Sequence, residues 1–408
     1  MIRATRQLHD NYTQGVAMMK TCNNFGFSHF LGGGVHTYSI SALCVAVFFA
    51  ATTELSAETV RSLKPKFTSM MTVAGCTNEQ SIALANFPVP VRISTTKIPG
   101  FYYNKCDGAD DISFSDESGN ILPHEVEVWN TEGESVAWVS VPQVYTNAVF
   151  YMNWGHKTKL ETVQSQEVWT AANYVGVWHM NEYNSTEKKQ HDSTGKNTAT
   201  YSNSSGSVTG TSKIGLCYKG SGTTATTSED AISTPSTKST SMTMDYKNGC
   251  SFSAWVRWQG FTATAQHWLF EVNNSSTGSY MWGCNVNNKK ICSKFGTSTA
   301  TQLDGTTGPT AWFNLTVCVT NNTSFVYFLN GEEVRSTTSS KTQYTSYATT
   351  SLWRIGGTAR YLDEVRYRNG GSISADWIKA EYDSVNNNDF LIASDTVRNG
   401  GGFIIVVQ

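Results

Sequence analysis

The sequence predicts an all-β protein, a small N-terminal β-sandwich followed by a larger one. Three observations carry this. Apolar and polar residues alternate with a period of two in many short runs, the pattern of strands. Gly, Asn, Asp and Pro separate the runs at the spacing of sandwich strands. Aromatic residues reach 12 % while charged residues are only 15 %, so the chain has material for cores and uncharged outer faces. The formal net charge of −2 leaves no basic excess for a phosphate backbone, which argues against nucleic acid as a partner.

The N-terminal stretch stands apart from the β pattern. No charged residue occurs between Lys20 and Glu54, and Tyr38–Thr52 is an apolar run. Arg3, Arg6 and Lys20 lie upstream, and Leu55-Ser56-Ala57 supplies small residues after it. Residues 1–57 therefore read as a secretory signal with a long positive region, cleaved after Ala57. Met18 and Met19 are alternative starts. An uncleaved anchor is the competing reading, although the apolar run is short for a span of ~20 residues. The expected location is extracellular, on the cell surface or periplasmic, with no membrane span in the mature chain. Of nine cysteines, Cys22 and Cys44 would leave with the signal. The remainder is odd, so at least one thiol stays unpaired or pairs with another chain. Cys284 and Cys292 flank a turn expected at Asn287-Asn288, and symmetric pairing about it predicts a cross-strand disulfide. Neither a Cys-x-x-Cys pair nor a Cys/His cluster suggests zinc.

Residues 58–163 hold five runs that read as strands: Phe87–Ser94, Asp111–Ser115, Leu122–Trp129, Ser135–Val141 and Asn147–Trp154. The acidic loop Asp107, Asp110, Asp111, Asp116, Glu117 lacks the fixed ligand offsets of an EF-hand and reads as polar turns. Glu125 and Glu127 share one face of their strand. That pairing suits acid/base work, and a solvated face explains it equally.

Residues 164–395 form the second sandwich, with 396–408 as a C-terminal tail. Gln164–Ala172 is the connector, and Tyr174–Met180 opens the sheet. Ser202–Gly210 and Ser221–Met244 are Ser/Thr-rich and read as loops. In Cys250–Trp258 the set Cys250, Phe252, Ala254, Val256 and Trp258 is the core face. Trp255 then stands with Ser251, Ser253 and Arg257 on the outer face. In Ala311–Val319 the core set is Ala311, Phe313, Leu315, Val317 and Val319. Trp312, Asn314, Thr316 and Cys318 point outward. Leu352–Ile355 and Tyr361–Tyr367 are the closing strands. In the latter, Leu362, Glu364 and Arg366 alternate with Tyr361, Asp363, Val365 and Tyr367. Ser374 caps a short helix, Ala375–Tyr382.

Two resemblances extend this reading. The ordered motifs "NFPVPVRIS", "DGADDISFSDESGNILPHEVEVWN", "SVAWVSVP" and "VFYMNWGH" resemble the domain of unknown function 2341 (DUF2341), a family of exported bacterial proteins. The runs "GVWHMNE", "KIGLCYKGSG", "CSFSAWVRW", "WFNLTVCV", "VYFLNGEEV" and "LDEVR…SADWIKAEY" resemble LamG-like domains, which are concanavalin A-like jelly rolls of the lectin/glucanase class. This second resemblance implies a structural calcium ion held by Glu182, Asp192 and Asp363, completed by backbone carbonyls. The Glu-x-Asp-x-x-Glu string of laminarinase-type glucanases is absent, as are Gly-x-Ser-x-Gly and HExxH motifs. The reading is thus an exported, non-catalytic, carbohydrate-binding surface protein. Trp255 and Trp312 would stack on sugar, with Arg257 and Asn314 orienting its hydroxyls. A cell-surface adhesion scaffold with a protein partner is the alternative. A glycoside hydrolase with an unrecognised site is the third reading.

Overall fold

The structure is a computed structural model that describes residues 65–155, 165–182, 186–201, 206–220, 232–233, 248–257, 267–274, 279–287, 290–294, 301–307, 311–321, 324–338, 351–355, 361–370 and 373–399. At 201, 232–233, 267–307, 320–321, 337–338 and 351–355 only the backbone belongs to that description. The expected signal segment, 1–57, lies outside it.

The first strands are β1 (Phe67–Val73), β2 (Leu84–Ile93), β3 (Ser113–Ser115), β4 (His124–Val128), β5 (Ser135–Val144) and β6 (Val149–Trp154). Helix α1 (Glu167–Thr170) leads into β7 (Tyr174–Trp178). Five short strands follow: β8 (Lys189–Gln190), β9 (Ala199–Tyr201), β10 (Ser207–Thr209), β11 (Cys217–Lys219) and β12 (Ile232–Ser233). The long ones are β13 (Cys250–Arg257), β14 (His267–Asn274), β15 (Ser279–Asn287), β16 (Lys290–Lys294), β17 (Thr301–Thr307), β18 (Phe313–Asn321), β19 (Ser324–Leu329) and β20 (Glu332–Thr338). The chain closes with β21 (Ser351–Ile355), β22 (Tyr361–Asn369), α2 (Ala375–Asn386), β23 (Leu391–Ala393) and β24 (Val397–Arg398).

These strands make four antiparallel sheets, and the all-β expectation holds. The N-terminal sandwich pairs a five-stranded sheet, β23-β1-β6-β3 with β24 on β1, with a three-stranded one, β2-β5-β4. The C-terminal sandwich has two eight-stranded sheets. One runs β10-β11-β22-β13-β18-β19-β20, with β7 also on β22, and the other runs β17-β16-β15-β14-β21-β12-β9-β8.

The five strands expected before residue 163 are present within a few residues of their expected ends. Three members of that sandwich lie elsewhere. β1 precedes them, and β23 and β24 return from the far end of the chain, pairing Met71 with Ala393 and Thr68 with Val397. Residues 391–398 thus close the first sandwich and are neither the end of the second domain nor a free tail. The described residues fall within one compact unit. One core runs from Phe87, Trp138 and Phe150 of the first sandwich to Trp169, Trp255 and Trp377 of the second half. Within the Ser202–Gly210 loop expectation, Ser207–Thr209 is instead a strand, held to Cys217–Lys219.

Helix α2 starts where the sequence places it. The Ser374 hydroxyl accepts the Trp377 N–H at 3.1 Å, satisfying one orphan donor of the first turn. Asp376 adds favourable charge there, and the helix continues past the expected Tyr382 to Asn386. It lies over the outer face of the β22-β13-β18 sheet. Ile378 packs on Cys318 and Phe328, Tyr382 stacks on Trp255 with ring centroids 5.3 Å apart, and Trp377 meets Phe87 of β2 at 4.8 Å. The helix is therefore the filling between the two sandwiches.

Strand β22 departs from strict alternation. Leu362 pairs with Val256 and Tyr367 with Phe252, both in the core set. Asp363 pairs with Trp255 and Arg366 with Ser253, both outer, and the register shifts between them. Two residues of β22 thus oppose one of β13, a bulge, and Glu364 takes the positive φ of +48° that such a position carries. Asp363, Glu364 and Arg366 consequently all project to the outer side, toward the first sandwich.

Candidate functional site

Asp192 accepts backbone N–H groups of Val177 (2.8 Å), Thr194 (2.9 Å) and Asn197 (2.8 Å), so both its oxygens organise its own turn. Glu182 is paired with His191 at 2.5 Å on the surface. Asp363 is fully buried, and its Oδ2 accepts the N–H groups of Lys213 (2.8 Å) and Ile214 (3.1 Å). The expected calcium carboxylates are thus not brought to one point. Among the described residues, the acid/His group that does share one point is Glu127, His179 and Glu364. The acidic loop behaves as polar turns: Asp116 accepts from the N–H groups of Ser118 and Asn120, and Asp111 from that of Asp107.

The expected disulfide meets a register that does not oppose its cysteines. Asn287 pairs with Lys290, which sets Cys284 against Ser293 and Cys292 against Asn285. The backbone register thus stands one residue away from the opposition that a cross-strand disulfide needs. Cys250 and Cys318 are buried, and burial pushes the Cys318 thiol up to about 12.

The four expected sugar-binding residues divide. Trp255 is only 3 % exposed, pinned between the Tyr382 ring and the Lys213 ammonium 4.7 Å from its centroid. Asn314 is buried beside it; its side-chain oxygen accepts from Thr316 at 3.2 Å, and its backbone N–H donates to the Asn330 side chain at 2.9 Å. The outward parity is as expected and the openness is not, because α2 covers that part of the face. Trp312 and Arg257 lie beyond the cover, both half-buried. Trp312 donates its indole N–H to the Thr211 carbonyl at 3.2 Å. Its ring meets Tyr361 edge-on at 6.2 Å, and the Arg257 guanidinium lies over Tyr361 at 5.1 Å. Lys219, which is exposed, approaches the same ring at 5.8 Å.

Register explains this grouping. Lys219 pairs with Tyr361, and Tyr361 pairs with Arg257. Phe313 pairs with Val256, so Trp312, one residue earlier, takes the place beside Arg257. Cross-strand partners share a face. Three neighbouring strands and the residue just before β18 thus form one row, Lys219–Tyr361–Arg257–Trp312, in which Tyr361 is buried and the other three reach the surface. Sequence reasoning found its Trp and its Arg. It missed Tyr361 and Lys219 because only register shows that they are neighbours.

A second constellation was half seen. Glu125 and Glu127 on β4 do share a face, and it is packed rather than solvated, with the Glu127 side chain fully buried and that of Glu125 20 % exposed. His179, just after β7, and Glu364 on β22 come to meet it. His179 Nδ1 lies 2.7 Å from Glu364 Oε1 and 3.7 Å from Glu127 Oε2, and its Nε2 lies 3.5 Å from Glu125 Oε2. Trp169 Nε1 (2.6 Å) and Ser193 Oγ (2.8 Å) donate to Glu125, and Trp138 Nε1 (2.8 Å) donates to Glu127. Arg366 donates to Glu364 at 2.7 Å and to Glu381 of α2 at 3.1 Å, with its guanidinium stacked on Trp138 and Trp169. Tyr174 completes the set by donating to Glu381.

Each group's protonation follows from these neighbours. Burial works against a charged His179, yet the carboxylates of Glu364, Glu127 and Glu125 outweigh it and hold the imidazole well above its usual range. Burial raises Glu364 and Glu125, but His179 draws both below the ordinary carboxylate value, with help from Arg366 and from Trp169 and Ser193 respectively. Glu127 is the exception. Its carboxyl is fully buried, and burial together with repulsion from Glu364 and Glu125 pushes it up to about 8, despite His179. Its Oε1 has no hydrogen-bond partner among the described residues, consistent with a neutral acid. Burial, then Glu364 and Glu127, likewise keep Asp363 well above its usual range. Gly215, at φ +55°, leaves room for this arrangement, since a Cβ there would collide with Glu127 Oε1. The whole is a buried ion-pair centre tying β4 to β7, β22 and α2.

No family model matches the chain, and no curated protein matches it. Among solved structures, it is similar to the binding domain of Paraclostridial Mosquitocidal Protein 1, at 12 % identity and a TM-score of 0.41 over 53 % of each chain. It is also similar to the Botulinum neurotoxin serotype G binding domain, at 14 % identity and 0.37, over 52 % of this chain and 50 % of that one. The third is Trypanosoma rangeli sialidase, at 12 % identity and 0.43, over 68 % of this chain and 44 % of the sialidase. The chain thus spans about half the length of these proteins, and likeness at this level carries no assignment of function.

Proposed function

We propose that this chain is an exported, non-catalytic module that binds polysaccharide on the row Lys219–Tyr361–Arg257–Trp312. The observation that carries the reading is the row itself: the exposed Lys219 and the half-buried Arg257 and Trp312 gathered around the buried Tyr361 ring, beyond the part of the outer face that α2 covers. The Trp312 indole is held in place through its N–H, so its ring is presented without a large ordering cost. An indole face covers the apolar side of a sugar ring, and flanking donors bind its oxygens. The converging carboxylates do not favour a hydrolase. Glu125, Glu127 and Glu364 are occupied by His179, Arg366 and two indoles within the packing between the sandwiches. A shallow row implies modest affinity, roughly micromolar to millimolar, or about −4 to −8 kcal/mol.

Affinity electrophoresis of the full chain through gels containing polysaccharides tests this. Trp312→Ala is expected to abolish retardation while leaving the circular dichroism spectrum and melting temperature within error. Unchanged retardation, or none for the wild type on any glycan, transfers the reading to a scaffold that binds protein.

A further inference from the structure

We infer that the saccharide held on this row is anionic, a carboxylated or sulfated glycan; the inference rests on the proposed binding role of the same row. Its side chains offer donors almost alone. A lysine ammonium has three N–H donors and no acceptor, and an arginine guanidinium has five and none. Tyr361 is buried between the two cations, and Trp312 has already committed its only donor to Thr211. A neutral sugar presents hydroxyls that donate as well as accept, and a site for it needs carboxylate or amide oxygens beside the aromatic ring. The row has none. Asn314, the nearest amide foreseen for that task, is buried under the cover with its oxygen engaged by Thr316. A ligand rich in acceptors and poor in donors fits, and a carboxylate or sulfate group is that ligand.

The cations are also unspent. Neither Lys219 nor Arg257 meets a carboxylate among the described residues, and both lie against the Tyr361 ring instead. Stacking on an aromatic face leaves the guanidinium edge free, and its planar fork suits bidentate contact with a carboxylate or sulfate. This local pair of cations stands out on a chain whose formal net charge is −2, so it does not reflect a generally basic surface. Neighbouring strands are about 4.8 Å apart, which puts Lys219 and Arg257 roughly 10 Å from each other along the row. That is about the length of a disaccharide, so a polymer with one acidic group in every second sugar matches both cations at once.

The test compares the full chain on polygalacturonate, hyaluronan and chondroitin sulfate with laminarin, xylan and mannan, at low and at moderate salt. The expected result is retention by at least one acidic polymer and weakening by salt. Lys219→Gln and Arg257→Gln should each reduce that affinity about tenfold. Arg257→Lys should recover only part of it, since it restores charge without the fork. Lys105→Gln, an exposed lysine far along the chain on the first sandwich, should change nothing. Binding of neutral polymers alone, or binding indifferent to salt and to both Gln variants, overturns the inference while the binding role stands. Equal loss with Lys105→Gln also overturns it, as diffuse charge attraction. Retention by no polymer removes the binding role itself.

Discussion

Replacing Glu127 by Gln should make the protein more stable above neutral pH, although it removes a carboxylate beside a cationic histidine. Glu127 takes up its proton in the folded state up to about pH 8, against an ordinary value of 4.5. A folded-state pKa raised in this way contributes stability that is complete below 4.5 and is lost as pH rises toward 8. At about 1.4 kcal/mol per pH unit, that span is worth roughly 5 kcal/mol. Water entry and relaxation around a buried acid reduce it, so roughly 2–3 kcal/mol should be measured. A glutamine side chain has the shape of the neutral acid. Its carbonyl can take the Trp138 N–H now held by Oε2, and its amide occupies the place of the unpartnered Oε1. The Glu127→Gln variant should therefore match the wild type near pH 5 and exceed it by roughly 2–3 kcal/mol near pH 8. Urea unfolding at both pH values, followed by tryptophan fluorescence, measures the difference. A variant that is less stable than the wild type by about 2 kcal/mol or more at pH 8 refutes the argument, because Glu127 would then be an ionised partner of His179.

Three further outcomes follow from the same contacts. Trp255→Ala should cost roughly 3–5 kcal/mol, since it empties the space between Tyr382 and the sheet, and thermal unfolding should show the loss where Trp312→Ala shows little. Arg366→Gln takes from buried Glu381 its guanidinium partner and leaves Glu364 with His179 alone, and should cost about 3–5 kcal/mol in denaturant unfolding. Glu364 and Glu125 have folded-state pKa values below the ordinary one, so their contribution is complete above 4.5 and declines as pH falls through the lowered values. Melting temperature should accordingly drop on the acid side, and less steeply in Glu364→Gln after correction for its lower starting stability.

Much of the fold was legible because it rests on local rules. Alternation located β13, β18 and β22, and the Ser374 cap fixed the start of α2 to the residue. What escaped depends on distant partners. β1 owes its place to β6, β23 and β24, of which the last two lie more than three hundred residues away in sequence. Cys284 and Cys292 missed opposition by one residue, a matter of where the hairpin is centred, which alternation does not determine. Glu125 and Glu127 were recognised as sharing a face. Nothing within their own strand shows that His179, some fifty residues on, and Glu364, far beyond it, would meet them.

The candidate site shows the same division in a single strand. Strict alternation in β22 would have put Glu364 beside Leu362 and Asp363 beside Val365. One bulge instead turns Asp363, Glu364 and Arg366 to the outer side together. Three ionisable residues on one short stretch of an outer face would ordinarily be solvated. Here the first sandwich and α2 bury them, and burial is tolerable because each arrives with a partner: backbone N–H groups for Asp363, His179 for Glu364, Glu381 for Arg366. The same cover removes Trp255 and Asn314 from solvent and stops short of Trp312, Arg257 and Lys219, which ring the buried Tyr361. Where it stops decides what the face can bind. Period-two alternation correctly assigns Trp255 and Trp312 to one side of the sheet, but only the docked helix distinguishes a core tryptophan from a platform.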